Sequence, residues 1–361
     1  MARGSERVKV LTVVGARPQF IKAAPVSRVL RRRHQEVLVH TGQHYDDLMS
    51  DVHFRQLGLP RPDENLGIGS GRHGQQTGAM LAGLERSILR ETPDWVLIYG
   101  DTNSTLAGAL AAAKLNVPVA HVEAGLRSYD RSMPEEINRL VADHVGDLLL
   151  APTQTAVDNL AAEGIRDNVV LSGDVMVDVL LQRLPVARQE STILGDLGLE
   201  GDYGLATVHR AGNTDDPARL RDIFSGLAEL GRPVVLPAHP RLCCALRGAG
   251  VETPANVRLI EPVGYLDMLA LLDRAALVLT DSGGLQKEAY VMRVPCVTLR
   301  SETEWVETVE MGWNRLAEAD PERIVAAATT ALSGQPPAHP DLFGDGRASE
   351  HIVAALEAQI G

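Results

Sequence analysis

The feature that most constrains this chain is a strand–helix alternation that runs, stops and begins again. Short β-branched runs at Val8–Val14, Val37–His40, Trp95–Tyr99, Val117–Val122 and Leu148–Leu150 read as buried strands. Helical stretches such as Ile21–Arg33, Gln75–Arg90 and Thr105–Leu115 lie between them. A strand that is apolar along its whole length, not only at every second residue, needs cover on both faces. The alternation therefore predicts a parallel sheet with helices on each side.

A second series follows: Gly204–Val208, Val234–Pro237, Val257–Ile260, Leu277–Thr280 and Cys296–Leu299. Pro217–Leu230, Tyr265–Arg274 and Leu285–Met292 are its helices. Between the series, Val186–Tyr203 lacks strand character and holds three glycines. The linker is placed near Gly173–Asp178, with Val179–Tyr203 as the entry into the second half. The predicted fold is α/β: two Rossmann-like doubly wound domains, 1–173 and 174–345, with a cleft between them. The last stretch, 346–361, is read as a helix crossing back to the first domain. A chain of 361 residues that is 45% hydrophobic has the length and apolar content for two such cores.

No apolar run approaches the ~20 residues of a membrane span. Met1–Lys9 has no apolar stretch with a cleavage site, so a cytoplasmic protein is expected. Cys243, Cys244 and Cys296 fit neither a zinc site nor a disulfide framework. A formal net charge of −12 argues against a nucleic-acid partner, which needs a basic surface. The basic run Arg28–His34 closes a predicted helix, where cations complement the dipole.

In doubly wound sheets, ligands bind beyond the carboxyl ends of the strands. The residues just after strands are therefore the informative ones. Strand one leads into Gly15-Ala16-Arg17-Pro18-Gln19-Phe20-Ile21-Lys22, which lacks both the dinucleotide fingerprint and the P-loop. It sets Arg17 and Lys22 around a helix start, a place suited to phosphate. Asp101 follows Tyr99-Gly100 and, taken alone, reads first as a helix N-cap. Glu123 follows an apolar run and predicts a nearby partner or a raised pKa. Glu135 and Glu136 follow Pro134 in a helix first turn, where acids need no special role. Three acidic positions on adjacent loops of one sheet edge nevertheless stand out. In the second half, His209 sits directly after a strand. Asp281-Ser282-Gly283-Gly284 joins a strand to a helix carrying Glu288. Glycines there permit close backbone approach, and the helix N–H groups suit a diphosphate.

Taken in order, these blocks resemble the non-hydrolysing UDP-N-acetylglucosamine 2-epimerase family, which has the glycosyltransferase-B type of fold. The resemblance runs from Val8 to about Ile352. It is carried by Gly15-Ala16-Arg17-Pro18, Thr41-Gly42-Gln43-His44, Gly100-Asp101-Thr102, His121-Val122-Glu123-Ala124-Gly125-Leu126-Arg127, Pro134-Glu135-Glu136, His209-Arg210 and Asp281-Ser282-Gly283-Gly284. Thr303-Glu304-Trp305-Val306-Glu307, among other blocks, looks like the branch acting on UDP-2,3-diacetamido-2,3-dideoxy-glucuronate. The resemblance implies a catalytic set of Asp101, Glu123, Glu135 and His209. It implies that Arg17, Lys22, Met268, Ser282, Gly283, Gly284 and Glu288 bind the substrate, with Met268 near the uracil. It further implies a second UDP-sugar as activator, at Gln43, Arg72, Glu136, Arg210 and His239, and a homodimer. Gly212 departs from the family, which usually has a glutamate there, and that change predicts a looser His209 loop.

The implied route is elimination of UDP to a glycal and re-addition on the other face, with no cofactor and no metal. Domain closure on the UDP-sugar is expected, because water would trap the intermediate. A glycosyltransferase of the same fold, a hydrolysing variant and a non-catalytic UDP-sugar sensor are the alternatives. A nicotinamide dehydrogenase is disfavoured by the missing fingerprint.

Overall fold

The computed structural model describes residues 7–43, 59–334 and 338–359. The chain divides into two compact units, with one break after Val179 and the other after Asp341.

The first unit is built on a seven-stranded sheet of order β3-β2-β1-β4-β5-β6-β7, all pairs parallel. Its strands are β1 (Lys9–Val14), β2 (Gln35–His40), β3 (Glu64–Asn65), β4 (Trp95–Tyr99), β5 (Val119–Val122), β6 (Leu148–Ala151) and β7 (Val169–Leu171). The helices are α1 (Arg17–Arg33), α2 (His73–Glu91), α3 (Asn103–Lys114), α4 (Pro134–Val145) and α5 (Gln154–Ala162). Alternate residues of β1 enter different cores. Val10 and Val14 pack with α1, while Leu11 and Val13 pack with Met80 and Leu84 of α2. That double cover is why the strand is apolar at four of its six positions.

The C-terminal helix, α15 (Ala348–Ala358), lies against α1 in the first unit, with Ile352 and Val353 in its core. Its start is fixed by Asp178, whose carboxylate accepts from the N–H groups of Ala348 (2.9 Å) and Ser349 (2.8 Å). Asp178 lies in α6 (Val175–Glu190), so the chain is already helical where the sequence suggested a linker. The basic end of α1 is tied down: Arg31 reaches the buried Glu36 and Arg33 reaches Glu357 of α15.

The second unit holds a six-stranded sheet of order β10-β9-β8-β11-β12-β13, again parallel throughout. Its strands are β8 (Gly204–Thr207), β9 (Val234–Pro237), β10 (Val257–Ile260), β11 (Leu277–Thr280), β12 (Cys296–Thr298) and β13 (Asn314–Leu316). Around it run α7 (Ile193–Asp196), α8 (Ala211–Thr214), α9 (Pro217–Ala228), α10 (Pro240–Ala249), α11 (Tyr265–Arg274), α12 (Gly283–Val291), α13 (Val306–Glu310) and α14 (Pro321–Ser333). Both sheets therefore reverse their strand order beside their first strand, at β1/β4 and at β8/β11. Such reversals open a crevice at the carboxyl ends of the strands.

Among the described residues, no helix is long and apolar enough to cross a membrane. The three cysteines are free; Cys296 is buried, which pushes its thiol up to about 12.

Candidate active site

In the first unit, the loops after β1, β2, β4 and β5 meet at one sheet edge. Gly15 is required there, because a Cβ would stand 2.1 Å from both Ser104 Oγ and Thr41 Oγ1. The buried Gln19 ties the loops together: its Oε1 accepts from Gly15 N at 2.8 Å, and its Nε2 donates to the Tyr99 carbonyl at 2.8 Å. Gln43 does similar work, accepting from the N–H (3.1 Å) and hydroxyl (2.7 Å) of Ser104. Arg17 opens α1, but its side chain lies outside the described residues, as does His44.

Glu123 leaves β5 with φ +71, a left-handed conformation that a non-glycine residue holds only when its surroundings enforce it. The expected partner is Lys22, which the sequence had suggested for phosphate. The two side chains are largely buried, 15% and 11% exposed, and form a direct ion pair. Burial opposes the charged ammonium, yet the charges of Glu123 and Asp101 outweigh it and raise the Lys22 pKa. Asp101 is not the N-cap of α3; Thr102 takes that place, accepting from Thr105 N. The Asp101 carboxylate is instead gripped by Arg139 of α4, through Nη2 (2.7 Å) and Nε (3.1 Å). Lys22, Asp101 and Glu123 thus form one cluster.

Glu136 sits beside it but faces inward. It is buried, accepts from the N–H groups of Ser128 (2.9 Å) and Tyr129 (3.0 Å), and pairs with Arg139 Nη1 at 2.7 Å. Burial pushes its carboxyl up, but these donors hold it below the ordinary glutamate range. Glu135 is exposed in the first turn of α4, and Arg72 is exposed just before α2.

In the second unit the pivot is Asp281, fully buried after β11. It accepts from the backbone N–H groups of His209 (3.1 Å) and Arg210 (3.0 Å) and from Asn213 Nδ2 (3.1 Å). Its Oδ1 also lies 2.9 Å from His209 Nδ1. Burial would raise the Asp281 carboxyl, but His209, Arg210 and Asn213 hold it below the ordinary aspartate value. A carboxylate only accepts, so Nδ1 carries the hydrogen and Nε2 is the open nitrogen of an exposed ring. The His209 loop is thus held from Asp281 and Asn213, while a side chain at Gly212 would start in open space.

Ser282 caps α12, and Gly283 and Gly284 form its first turn. A Cβ at Gly283 would meet Trp305 Nε1 at 3.4 Å and Glu304 Oε2 at 3.5 Å, so the backbone lines a narrow space. Glu304 is bound by Arg300 (2.8 and 3.0 Å), with Arg210 at 3.5 Å. Burial works against that carboxylate, yet the guanidinium groups pull it down to about 2. Glu288, one turn into α12, accepts from Tyr265 Oη at 3.1 Å. Met268 packs on α11 at the edge of the second core. His239 caps α10 at the end of β9 and is exposed.

Arg139, Asn213 and Asp281 are the organising residues that reading the chain alone passed over. Asp281 lies inside a quoted motif and Arg139 three residues past another, so position was visible. Their partners, 72 and 38 residues away, were not.

A sequence profile described as UDP-N-acetylglucosamine 2-epimerase matches residues 28–357. The UDP-2,3-diacetamido-2,3-dideoxy-D-glucuronate 2-epimerase of Pseudomonas aeruginosa is 50% identical over 357 residues, covering 97% of this chain and 99% of that protein. A UDP-N-acetylglucosamine 2-epimerase homolog of Methanococcus maripaludis is 49% identical over 355 residues, with the same coverage of 97% and 99%. The crystal structure of the Methanocaldococcus jannaschii UDP-GlcNAc 2-epimerase with UDP-GlcNAc and UDP superposes with a TM-score of 0.84 at 42% identity, covering 97% of this chain and 99% of that one. The fold is of the glycosyltransferase-B type, and the chain belongs to the UDP-N-acetylglucosamine 2-epimerase family.

Proposed function

We propose that this protein inverts carbon 2 of a UDP-2-acetamido sugar. The class comprises UDP-N-acetylglucosamine and its 2,3-diacetamido uronate equivalent, the sugars named for its relatives. The observation that carries this reading is the buried Lys22–Glu123 pair beside Asp101, carboxylates held at one sheet edge in a family of 2-epimerases.

The hydrogen at C2 has no neighbouring carbonyl to acidify it. Direct removal would face a prohibitive barrier. If the C1–O bond breaks first, its electron pair leaves with UDP and positive charge develops at C1. The C2 proton then becomes acidic, and its loss gives a C1=C2 glycal. Returning a proton to the opposite face of C2, with UDP oxygen re-attacking C1, completes the inversion. Nothing is oxidised or reduced, so the route calls for no nicotinamide.

Each step has groups suited to it. The N-terminus of α12 at Ser282–Gly284, Arg17 and His209 Nε2 serve the leaving diphosphate. Glu288 takes the ribose hydroxyls and Met268 the uracil. Asp101, Glu123 and Glu135 move the proton at C2. Lys22, already paired with Glu123, holds that carboxylate in place rather than meeting phosphate. A second UDP-sugar as activator belongs to the same proposal. Of its residues, Gln43 and Glu136 are turned to internal partners; Arg210 and His239 touch Glu304 and the Arg241 N–H but are exposed, and with the exposed Arg72 they would meet it. We also propose a cytoplasmic homodimer, which light scattering would reveal as twice the chain mass.

The test is to offer the purified protein UDP-N-acetylglucosamine and UDP-2,3-diacetamido-2,3-dideoxy-glucuronate separately and watch for the manno epimer. Conversion of either supports the reading, and the faster one locates the preferred groups at C3 and C6. Conversion of neither contradicts it. Stoichiometric release of UDP would mark a hydrolysing enzyme instead.

A further inference from the structure

β5 is apolar except for one residue. His121 stands between Ile98 of β4 and Leu149 of β6, and its side chain is fully buried. Its Nε2 lies 2.7 Å from the Gly100 carbonyl oxygen, which only accepts, so Nε2 donates. Its Nδ1 lies 2.7 Å from Asp143 Oδ1 of α4. Asp143 Oδ2 accepts from Arg127 Nη1 at 2.7 Å and from Gly125 N at 3.1 Å. Burial pushes the Asp143 carboxyl up, but His121 and Arg127 hold it below the ordinary aspartate value. The imidazole is thus clamped between the Gly100 carbonyl and the Asp143 carboxylate. Arg127 is held in turn by Glu163 at 2.7 and 2.8 Å.

This chain of groups joins two loops. Gly100 immediately precedes Asp101, and Gly125 follows Glu123 by two residues. Gly100, Glu123 and Gly125 have φ values of +60, +71 and +82, so both turns are specialised. Neither has slack: a Cβ at Gly125 would stand 2.3 Å from the Ala156 carbonyl oxygen. At Gly100 it would stand 3.2 Å from Glu123 Oε2, so that carboxylate rests against the Gly100 α-carbon. Burying these charges costs stability relative to apolar side chains of similar volume, and the neighbouring strands are filled with such side chains.

We propose that His121, through Asp143, is a positioning residue that fixes the spacing of the Asp101 and Glu123 carboxylates. The inference rests on those two acids handling the C2 proton, as proposed above. Its removal displaces them from the substrate while leaving the α12 end intact.

The test compares the full-length wild type with His121→Gln and His121→Leu. Turnover, KM, UDP affinity and the thermal midpoint are measured. So is deuterium at C2, in both recovered substrate and epimer, after reaction in heavy water. A small displacement of reacting groups costs up to about 100-fold, so His121→Leu is expected to lose about 100-fold in kcat and His121→Gln about tenfold. KM and UDP affinity stay within about threefold, because binding to ground and transition states is separable. The ratio of deuterium in substrate to deuterium in epimer departs from the wild-type ratio, a change that partial unfolding does not produce. A folded His121→Gln with wild-type kcat and deuterium ratio overturns the proposal, and so does an equal loss of kcat and UDP affinity. If neither variant folds, Arg127→Lys, which cannot fork between Asp143 and Glu163, carries the same expectation. Failure of all three to fold marks the cluster as structural only and also overturns it. If the wild type itself converts neither sugar, the functional reading fails rather than this one.

Discussion

His209 presents an exposed imidazole whose Nδ1 is bound, at 2.9 Å, to the fully buried carboxylate of Asp281. The carboxylate fixes the ring's tautomer and aims Nε2 outward. Replacing Asp281 by Asn removes the charge and turns one of its two accepting oxygens into a donor, so the donors of His209, Arg210 and Asn213 can no longer all be met. We expect Asp281→Asn to lower kcat by about 100-fold, the scale of a lost group that stabilises a developing anion. Steady-state kinetics on the purified variant checks this.

The same carboxylate makes stability depend on pH. Burial raises the Asp281 carboxyl, but His209 and its neighbours win and depress it. A depressed acid contributes stability that is present above its unfolded pKa and lost as pH falls through the folded value. Wild type should therefore exceed Asp281→Asn by a constant margin above about pH 4, and the margin should shrink below it. Thermal midpoints of both proteins across that range read this out.

Lys22 and Glu123 form a buried pair, and removing one partner strands the other's charge. Lys22→Met should cost about 3 kcal/mol or more. The double variant Lys22→Met/Glu123→Gln should be more stable than Lys22→Met alone, because no lone charge remains. Urea unfolding of the wild type, both single variants and the double variant closes the cycle.

Arg139 grips Asp101 with one side of its guanidinium and Glu136 with the other. Lysine cannot fork between two carboxylates. Arg139→Lys should therefore fail to restore the activity lost in Arg139→Met, although it keeps the charge. Comparing kcat of the two variants decides it.

Gly283 has an ordinary backbone and room for a methyl group, so Gly283→Ala should fold normally. In the binding mode proposed above, that methyl would stand at the helix end that meets the diphosphate. We expect UDP affinity to fall about tenfold, the worth of roughly one hydrogen bond to a charged group, with an unchanged thermal midpoint. Calorimetric titration with UDP measures it.

The central strands were legible because each is apolar along most of its length. Val8–Val14 and Leu277–Thr280 are covered on both faces, and burial writes itself into the sequence. The edge strands β3, β7 and β13 were not legible. They have two or three residues, too few for a pattern to stand out, and Glu64, Asn65 and Leu171 keep solvent exposure. β2 starts two residues before its apolar run because Glu36 is buried on donors from Thr12, Ser27 and Arg31, which only the fold assembles. At the site, positions after strands were readable, and Asp101, Glu123, His209 and Ser282 all lie there. What each side chain touches was not readable. Asp101 was first read as a cap and Lys22 as a phosphate ligand. Their partners, Arg139 on α4 and Glu123 after β5, are 38 and 101 residues away.

Running the reaction in heavy water tests the central claim most directly. An enzyme that inverts C2 through a glycal must break the C2–H bond and deliver a solvent proton. The account predicts one deuterium at C2 of the manno epimer, with UDP and sugar recovered joined. Conversion without deuterium at C2, or transfer of the sugar to an acceptor with its C2 hydrogen retained, would contradict it.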